Sequence, residues 1–325
     1  MAKKARRKSA KKGKKMVRMA SDTETHVALL AADASGIGQS TLDVVEELCK
    51  INHRLYRQAM TYQVSFKTTG EISGGSAVTY RFYTLANNWF VHGACKYAFR
   101  NWRAALQEEL MGGATQGRYL DWRIANTNPD GDASKLVGAS WDGDGYNALE
   151  SGEYNFSTVT GDDGAEDSFN MFGALSGHFN IFNEYAKYLD TRKPDDQAVT
   201  VAASYDGLHV GDDLLTREGL VEDFDNPPYP NDLSGTNWAD AVMTLQDTIS
   251  FDGSGGTTTI ASRTMDAPLG FVFITKELNG TATDIDTAVP ELILRVKSGG
   301  YKGVSARPIV RWPGDLRLAS ARSNK

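Results

Sequence analysis

The first eighteen residues hold the densest set of chemically active side chains in this sequence. They read MAKKARRKSAKKGKKMVR and contain ten cations and no acid. Clustered Lys and Arg side chains bind phosphates and release the counterions that condense on a nucleic acid. The same run also fits a nuclear localisation signal, and the two roles are compatible. The predicted nucleic-acid-binding residues are Lys3, Lys4, Arg6, Arg7, Lys8, Lys11, Lys12, Lys14, Lys15 and Arg18.

This basic run contrasts with the rest of the chain. The whole sequence has 35 Lys and Arg against 41 Asp and Glu, a formal charge of −6. Taking the ten cations from 35 leaves 25 against 41 acids, so the remainder carries −16. A run with little apolar surface and so much like charge cannot fold alone. We therefore expect a disordered basic arm at residues 1–20, tethered to a folded acidic body.

A second candidate site is the acidic stretch DGDGYNALESGE. Asp142, Asp144 and Glu153 fall at positions 1, 3 and 12 of an EF-hand calcium loop. Tyr146 and Asn147 stand where that loop uses an oxygen ligand and a Gly, and no predicted helix pair flanks it. A solvated acidic loop is the simpler interpretation. The alternative is a calcium ion held at subunit contacts by the two aspartates and Glu153.

The other short motifs lack the residues that catalysis would need. Gly36 and Gly38 precede a predicted helix, but neither a third Gly nor a phosphate-loop Lys follows, so we interpret them as a hinge. Ser176 lacks the spacing of a nucleophile elbow. The five histidines show no metal-ligand spacing, and Cys49 and Cys95 fit reduced, buried thiols of an intracellular protein. We expect no enzymatic activity and, apart from the calcium alternative, no cofactor.

Apolar periodicity predicts the elements that position these residues. Helices are predicted over residues 41–60, with Ser40 or Thr41 as N-cap, over 89–110, with Asn87 or Asn88 as N-cap, and over 177–189. Alternation predicts a strand–turn–strand unit and later strands, with long polar loops over 126–170 and 206–240. The predicted strands are 62–66, 78–85, 118–125, 154–160, 199–205, 242–251, 257–264, 269–276 and 291–297.

These elements define the expected fold class. About eight strands without regular intervening helices predict an all-β chain, a single eight-stranded antiparallel jelly roll (a β-sandwich) with a few helices and long loops. We expect one hydrophobic core that includes Trp102 and Phe273. The expected domains are the arm at 1–20, a hinge and helix at 21–60, and a jelly-roll shell domain at 61–325.

The basic arm, the β-rich body and the long polar loops resemble capsid proteins of small non-enveloped eukaryotic viruses. The segment ELILRVKSGGYKGVSARP is similar to the final strand and tail of capsid proteins from circular Rep-encoding single-stranded DNA viruses. The resemblance implies many copies in an icosahedral shell, with arms that bind a single-stranded genome, DNA in preference to RNA. It also implies a location in the virion and, during assembly, in the host nucleus.

Other expectations concern partners and competing functions. No apolar run reaches the ~18 residues of a membrane span, and no secretory signal is evident, so we expect no membrane partner. The alternatives are a calcium-dependent lectin-like jelly roll and a β-sandwich glycoside hydrolase, although neither requires ten cations in eighteen residues. In a shell, acidic bodies need countercharge, which Arg307 or Arg311 of a neighbouring subunit or a divalent cation would supply.

Overall fold

The computed structural model describes residues 22–29, 39–71, 77–125, 135–141, 146–160, 166–171, 178–190, 242–251, 257–278, 281–282 and 291–309. Within these ranges the chain is mostly β-strand with three helices. The helices are α1 Val44–Asn52, α2 Trp89–Met111 and α3 Ile181–Asp190. The strands are β1 Thr23–Leu29, β2 Gln39–Asp43, β3 Met60–Glu71, β4 Val78–Leu85, β5 Lys135–Trp141, β6 Tyr146–Ala148, β7 Thr158–Thr160, β8 Glu166–Asn170, β9 His178–Asn180, β10 Met243–Phe251, β11 Thr257–Ala261, β12 Met265–Pro268, β13 Phe271–Leu278, β14 Thr281–Ala282, β15 Glu291–Val296, β16 Ser298–Tyr301 and β17 Ala306–Pro308.

One large sheet organises the described part of the chain. Its strands follow the order β10-β4-β13-β2-β5-β1-β15-β3-β11, and β12, β14, β17 and β6 attach to members of this path. Its ladders are antiparallel except for the β2–β5 pair. A smaller sheet joins β7, β8 and β9. The prediction of a mainly antiparallel, β-rich chain is therefore confirmed.

The large sheet folds back so that β3 and β4 lie face to face. The rings of Phe66 from β3 and Phe82 from β4 stack between the two strands, with centroids 4.6 Å apart and an interplanar angle of 12°. Both strands of the predicted strand–turn–strand unit are confirmed, and in the sheet β3 pairs with β15 and β4 with β13. Alternation identifies which residues are buried, but it does not specify the partner strand.

The buried side chains of the described ranges form two hydrophobic clusters, where a single core was expected. The first lies between the two faces of the folded sheet and includes Phe66, Phe82 and Val272. The second lies between the outer face of β13 and the helices α2 and α3, and it includes Trp102 and Phe273. Both residues are buried as predicted, at 5% and 4% exposure. Alternating side chains of β13 enter different clusters, so this strand separates the two.

Helix α2 matches its prediction closely. Asn88 caps it, because its side-chain oxygen accepts a hydrogen bond from the Val91 N–H at 2.9 Å. Gly112 is the C-cap, and Gly113 follows with a φ of 98°, a conformation that glycine adopts without a Cβ clash. Gly93 lets α3 approach, since a Cβ there would overlap the Tyr185 ring.

The helix predicted over residues 41–60 is wrong in length and cap. Residues 39–43 form β2, and Asp43 is the N-cap, accepting hydrogen bonds from Val45 N at 2.9 Å and Glu46 N at 3.2 Å. The helix ends before His53, which has a left-handed φ of 47°. Pairing of β2 with β13 outweighs helix propensity here. Moreover, β1 and β2, expected in a hinge segment, belong to the main sheet.

The strand predicted over 118–125 is also wrong. Residues 118–120 are exposed and residues 121–125 are buried, and the segment is irregular apart from a single bridge between Ala125 and Asn170. Side chains supply part of its hydrogen bonding, because Gln58 Oε1 accepts from Ile124 N at 2.6 Å and Ser157 Oγ accepts from Arg123 N at 2.9 Å. The Arg123 carbonyl also accepts from the Ser157 backbone N–H at 2.9 Å.

The loop predicted over 126–170 is wrong, because β5, β6 and β8 lie within it, and β5 pairs with β1 in the large sheet. The remaining predicted elements differ mainly in their bounds. The strand predicted over 154–160 is confined to β7, and the third helix is α3 with β9 before it. The later predicted strands correspond to β10, β11, β13 and β15. The predicted strand at 199–205, the loop at 206–240 and the hinge at Gly36 and Gly38 lie outside the described residues.

Candidate functional site

The structure covers only part of the predicted sites. All ten arm cations, together with Asp142, Asp144 and Arg311, lie outside the described residues. Glu153 is described and is exposed, and its carboxylate accepts a hydrogen bond from Asn155 Nδ2 at 3.3 Å. Arg307, expected to meet acids of a neighbouring subunit, binds Asp266 of its own chain at 2.6 Å.

Glu153 lies at the edge of a cavity of about 520 Å³ beside α1. Both signs of charge line it, because α1 and the loop that contains Glu150 supply carboxylates while basic side chains approach from three segments. The charged lining residues are Glu46, Lys50, Arg54, Arg123, Glu150 and Glu153.

Lys50 balances the carboxylates of α1. Its Nζ lies 3.1 Å from Glu46 Oε1 and 3.1 Å from Glu47 Oε1. Burial raises the pKa of Glu47, and attraction to Lys50 only partly offsets that rise. Burial by itself would lower the pKa of Lys50, but Glu47 and Glu46 raise it overall. These charges therefore stabilise one another.

A hydrogen-bonded network forms the inner wall of the cavity. The Tyr154 hydroxyl donates to Asp43 Oδ2 at 3.0 Å, so the carboxylate that caps α1 also anchors the neighbouring loop. The Arg123 guanidinium lies 4.1 Å from the centroid of the Tyr154 ring, within cation–π range. Gln58 joins Asp43 to Ile124 through its amide. This network holds the Tyr154 ring in place, and the ring in turn holds the Arg123 guanidinium at the cavity wall.

Next to the cavity is a surface that we call the basic patch, defined by Arg54, Arg57, Lys302 and the adjacent Tyr301. Lys302 Nζ lies 5.4 Å from the centroid of the Tyr301 ring and donates a hydrogen bond to the Leu55 carbonyl. The Tyr301 hydroxyl accepts a hydrogen bond from the Arg57 backbone N–H at 3.3 Å. This bond joins the segment that contains Arg54 and Arg57 to the segment that contains Tyr301 and Lys302.

The patch concentrates positive charge on an acidic body. Burial lowers the pKa of Lys302, and the neighbouring Arg57 and Arg54 lower it further. Among the described residues, neither Arg54 nor Lys302 forms an ion pair with a carboxylate. Cations beside aromatic rings are suited to bind phosphates and stack on bases.

Asp121 is the acidic group beneath this patch. Burial raises its pKa to about 6, against the attraction of Arg57, Arg123 and Lys302, which lowers it. The side chain is 6% exposed, and Oδ2 has no hydrogen-bond partner among the described residues.

The pKa shifts of the two cysteines and of His92 bear on whether these side chains could take part in chemistry. Burial raises the pKa of the Cys95 thiol to about 12 and also raises that of Cys49, so neither is an activated nucleophile. Burial lowers the pKa of His92, whose Nε2 lies 2.6 Å from Asn87 Oδ1. No cluster of three or more His, Cys, Asp or Glu suited to a metal occurs in the described ranges.

Sequence reasoning missed the basic patch. The sequence NHRLYR interleaves cations and an aromatic residue, which is a signal of nucleic-acid contact, but we assigned it to a helix. Its partners Tyr301 and Lys302 are more than 240 residues away along the chain. Only the fold brings these two segments together.

Comparisons of the chain with protein-family models, with curated proteins and with solved structures find no match in any of the three. None of the helices in the described ranges is long and apolar enough to cross a membrane.

Proposed function

We propose that this protein is a viral capsid subunit that self-assembles into an icosahedral shell and packages single-stranded nucleic acid, DNA in preference to RNA. The observation that carries the proposal is the division of charge. Ten cations without an acid occupy the first eighteen residues, and the rest of the chain carries −16. A tethered polycation binds a polyanion by releasing its counterions, while an acidic body keeps its outer surface from binding the same ligand.

The sheet topology is compatible with a shell domain. Strands from early in the chain pair with strands from its end, with β3 next to β15 and β4 next to β13, both antiparallel. This nested pairing supports an elaborated jelly roll, in which eight principal strands form two facing sheets. The buried stack of Phe66 on Phe82 supports the same arrangement.

The basic patch supports a second contact with the genome. Arg54 and Lys302 are exposed cations, and Lys302 lies beside the Tyr301 ring; this combination suits a phosphate next to an unstacked base. In this proposal the arm provides most of the affinity, and the patch positions the strand against the body. The protein then resides in the virion and, during assembly, in the host nucleus.

Deletion of residues 1–18 tests the proposal. The full chain should elute as megadalton particles with high absorbance at 260 nm, and the deletion variant should lose the nucleic acid. If all ten cations meet phosphates, the arm contributes about −7 to the slope of log K against log salt for single strands. A matched control replaces the ten cations with Gln at unchanged length. An unchanged slope in either variant would refute the assignment of the arm.

Calcium at subunit contacts is a separate part of the proposal. Asp142, Asp144 and Glu153 would bind the ion through oxygen ligands, which calcium favours. EDTA at neutral pH should then increase the hydrodynamic radius of the particles, because the acidic loops repel once the ion is removed. The variant Asp142→Asn/Asp144→Asn should behave like the EDTA-treated particles. An identical radius and thermal midpoint with and without EDTA would leave protein cations as the countercharge.

A further inference from the structure

Arg123 is a buried cation at the wall of the cavity beside α1. It is 6% exposed, and its guanidinium lies 4.1 Å from the centroid of the Tyr154 ring. Among the described residues, its Nε has no hydrogen-bond partner and its side chain forms no ion pair. Asp121 and Arg123 attract one another without reaching ion-pair distance. A buried charge is unfavourable unless an opposite charge or several acceptors stabilise it, so this position is suited to hold an anion.

A second unpaired guanidinium lines the same cavity. Arg54 is exposed and, within the described ranges, forms no ion pair. A planar guanidinium group donates parallel hydrogen bonds that match two oxygens of a phosphate.

The carboxylates of the lining oppose an anion only weakly. Glu46 is paired with Lys50 at 3.1 Å. Glu150 and Glu153 are exposed, so water and salt screen their charge. The cavity volume of about 520 Å³ lies in the range of small-molecule sites, roughly 300–1,000 Å³. The cavity therefore has both the charge and the room for an organic phosphate.

Tyr119 adds a planar surface to this cavity. It is 65% exposed and lines the cavity, and the Arg118 guanidinium lies 5.5 Å from the centroid of its ring. Nucleic-acid bases stack on exposed aromatic rings, and nearby cations bind the adjoining phosphates. Two guanidinium groups and an aromatic ring in one cavity therefore match the parts of a nucleotide, which are a phosphate and a planar base.

The basic arm joins the body close to this cavity. Asp22, four residues after Arg18, accepts a hydrogen bond from the Ser298 backbone N–H at 2.9 Å. Lys302 follows Ser298 by four residues, so their Cα atoms are at most about 14 Å apart. Lys302 in turn donates a hydrogen bond to the carbonyl of Leu55, which lines the cavity. A strand held by the arm is therefore within reach of the cavity by way of the basic patch.

We propose that the cavity beside α1 binds one unstacked nucleotide of the packaged strand, with its phosphate on Arg123 and Arg54 and its base on Tyr119. This inference rests on the proposed function and assigns a site at which one base leaves the stack of its neighbours. Bases of a duplex are paired and stacked, so they enter such a cavity only after unpairing, which costs free energy. The site therefore favours single strands over duplexes.

Binding of dAMP and of inorganic phosphate to the full chain tests the site by isothermal titration calorimetry. At about 0.3 M salt the contacts of the arm weaken steeply, because they depend on counterion release. Tyr119→Ala should lower the affinity for dAMP about tenfold and leave the affinity for phosphate unchanged, because it removes only the stacking surface. Arg123→Gln and Arg54→Gln should each lower both affinities about tenfold. Arg54 is exposed, so its variant tests the phosphate contact without disturbing the buried wall.

Two variants outside the cavity are the matched controls. Trp89→Ala removes a ring that is 61% exposed and does not line the cavity. Arg100→Gln removes an exposed cation that does not line it either. Both should keep the unmodified affinity for dAMP within about twofold. Equal dAMP affinities of Tyr119→Ala and the unmodified chain, or phosphate bound as tightly as dAMP, would overturn the proposal.

A strand with and without bases tests the link to the genome. Tyr119→Ala should weaken the binding of a single-stranded DNA decamer about threefold to tenfold, and it should not change the binding of an abasic decamer of equal charge. Equal losses for the two strands would contradict stacking on Tyr119. Particles that contain nucleic acid while dAMP binding ignores Tyr119→Ala would refute this site and leave the capsid proposal standing. A chain that forms no particles but binds dAMP through Tyr119 would refute the shell and keep the cavity as a nucleotide site.

Discussion

Replacing Asp121 with Asn should stabilise the protein at neutral pH and much less in mild acid. Asp121 is buried beneath the basic patch, and burial raises its pKa to about 6 from the ordinary 3.8, although Arg57, Arg123 and Lys302 attract its charge. Between these two pH values the folded chain holds a proton that the unfolded chain has lost. The free energy of unfolding therefore falls as the pH rises from 3.8 to 6, and it stays lower above that range.

The magnitude follows from the two pKa values. The rise from 3.8 to about 6 corresponds to about 3 kcal/mol at about 1.4 kcal/mol per pH unit. About two thirds of this loss in the free energy of unfolding, roughly 2 kcal/mol, occurs between pH 4.5 and 7.5. Asn has nearly the shape of the protonated acid and does not titrate. The stability difference between Asp121→Asn and the original chain should therefore be about 2 kcal/mol more favourable at pH 7.5 than at pH 4.5.

Urea denaturation of both chains at these two pH values measures the difference. Glu108→Gln, at an exposed carboxylate, controls for the change in net charge. Two results would refute the reasoning. One is a stability difference between the two chains that is the same at pH 4.5 and 7.5, and the other is a difference at pH 7.5 that favours the chain with Asp121. The first result would mean that solvent reaches the carboxylate, and the second that the three nearby cations outweigh its burial.

Two further predictions concern the core and the basic patch. Trp102→Ala and Phe273→Ala should each lower the free energy of unfolding by about 3–5 kcal/mol, because both side chains are buried in the second cluster; a loss below about 1 kcal/mol in urea titrations would contradict their packing. Arg54→Gln and Lys302→Gln should each reduce the salt slope of single-strand binding by about 0.7, measured by fluorescence anisotropy over a range of salt concentrations. Slopes identical to that of the original chain would exclude phosphate contacts at the patch.

Local patterns predicted the elements whose structure is determined locally. Helix α2 has a long apolar period and an Asn at its N-terminus, and both features act within a few residues. Strands β10, β13 and β15 were predicted because apolar and β-branched residues are concentrated in them. Such signals depend on neighbours in sequence, so they persist whatever the tertiary arrangement.

Features determined by distant partners were not predictable in this way. Asp43 caps α1 because β2 pairs with β13, and residues 121–125 are held by Gln58 and Ser157 rather than by a ladder. The basic patch depends on Lys302, which lies more than 240 residues from Tyr56. Composition alone led to the prediction that residues 1–18 bind nucleic acid, because ten cations without an acid favour a polyanion whatever the fold.

The pairing of β1 with β15 has a consequence for how the protein is made. These strands align from Thr23 with Val296 to Val27 with Leu292, so the ribosome must translate almost the whole body between them. At a synthesis rate of about 5–20 residues per second, β15 is completed roughly 14 to 55 s after β1. The main sheet therefore closes late in synthesis or after release. A chain truncated before residue 291 lacks β15, the strand that lies between β1 and β3, so incomplete products cannot complete the large sheet that assembly would require.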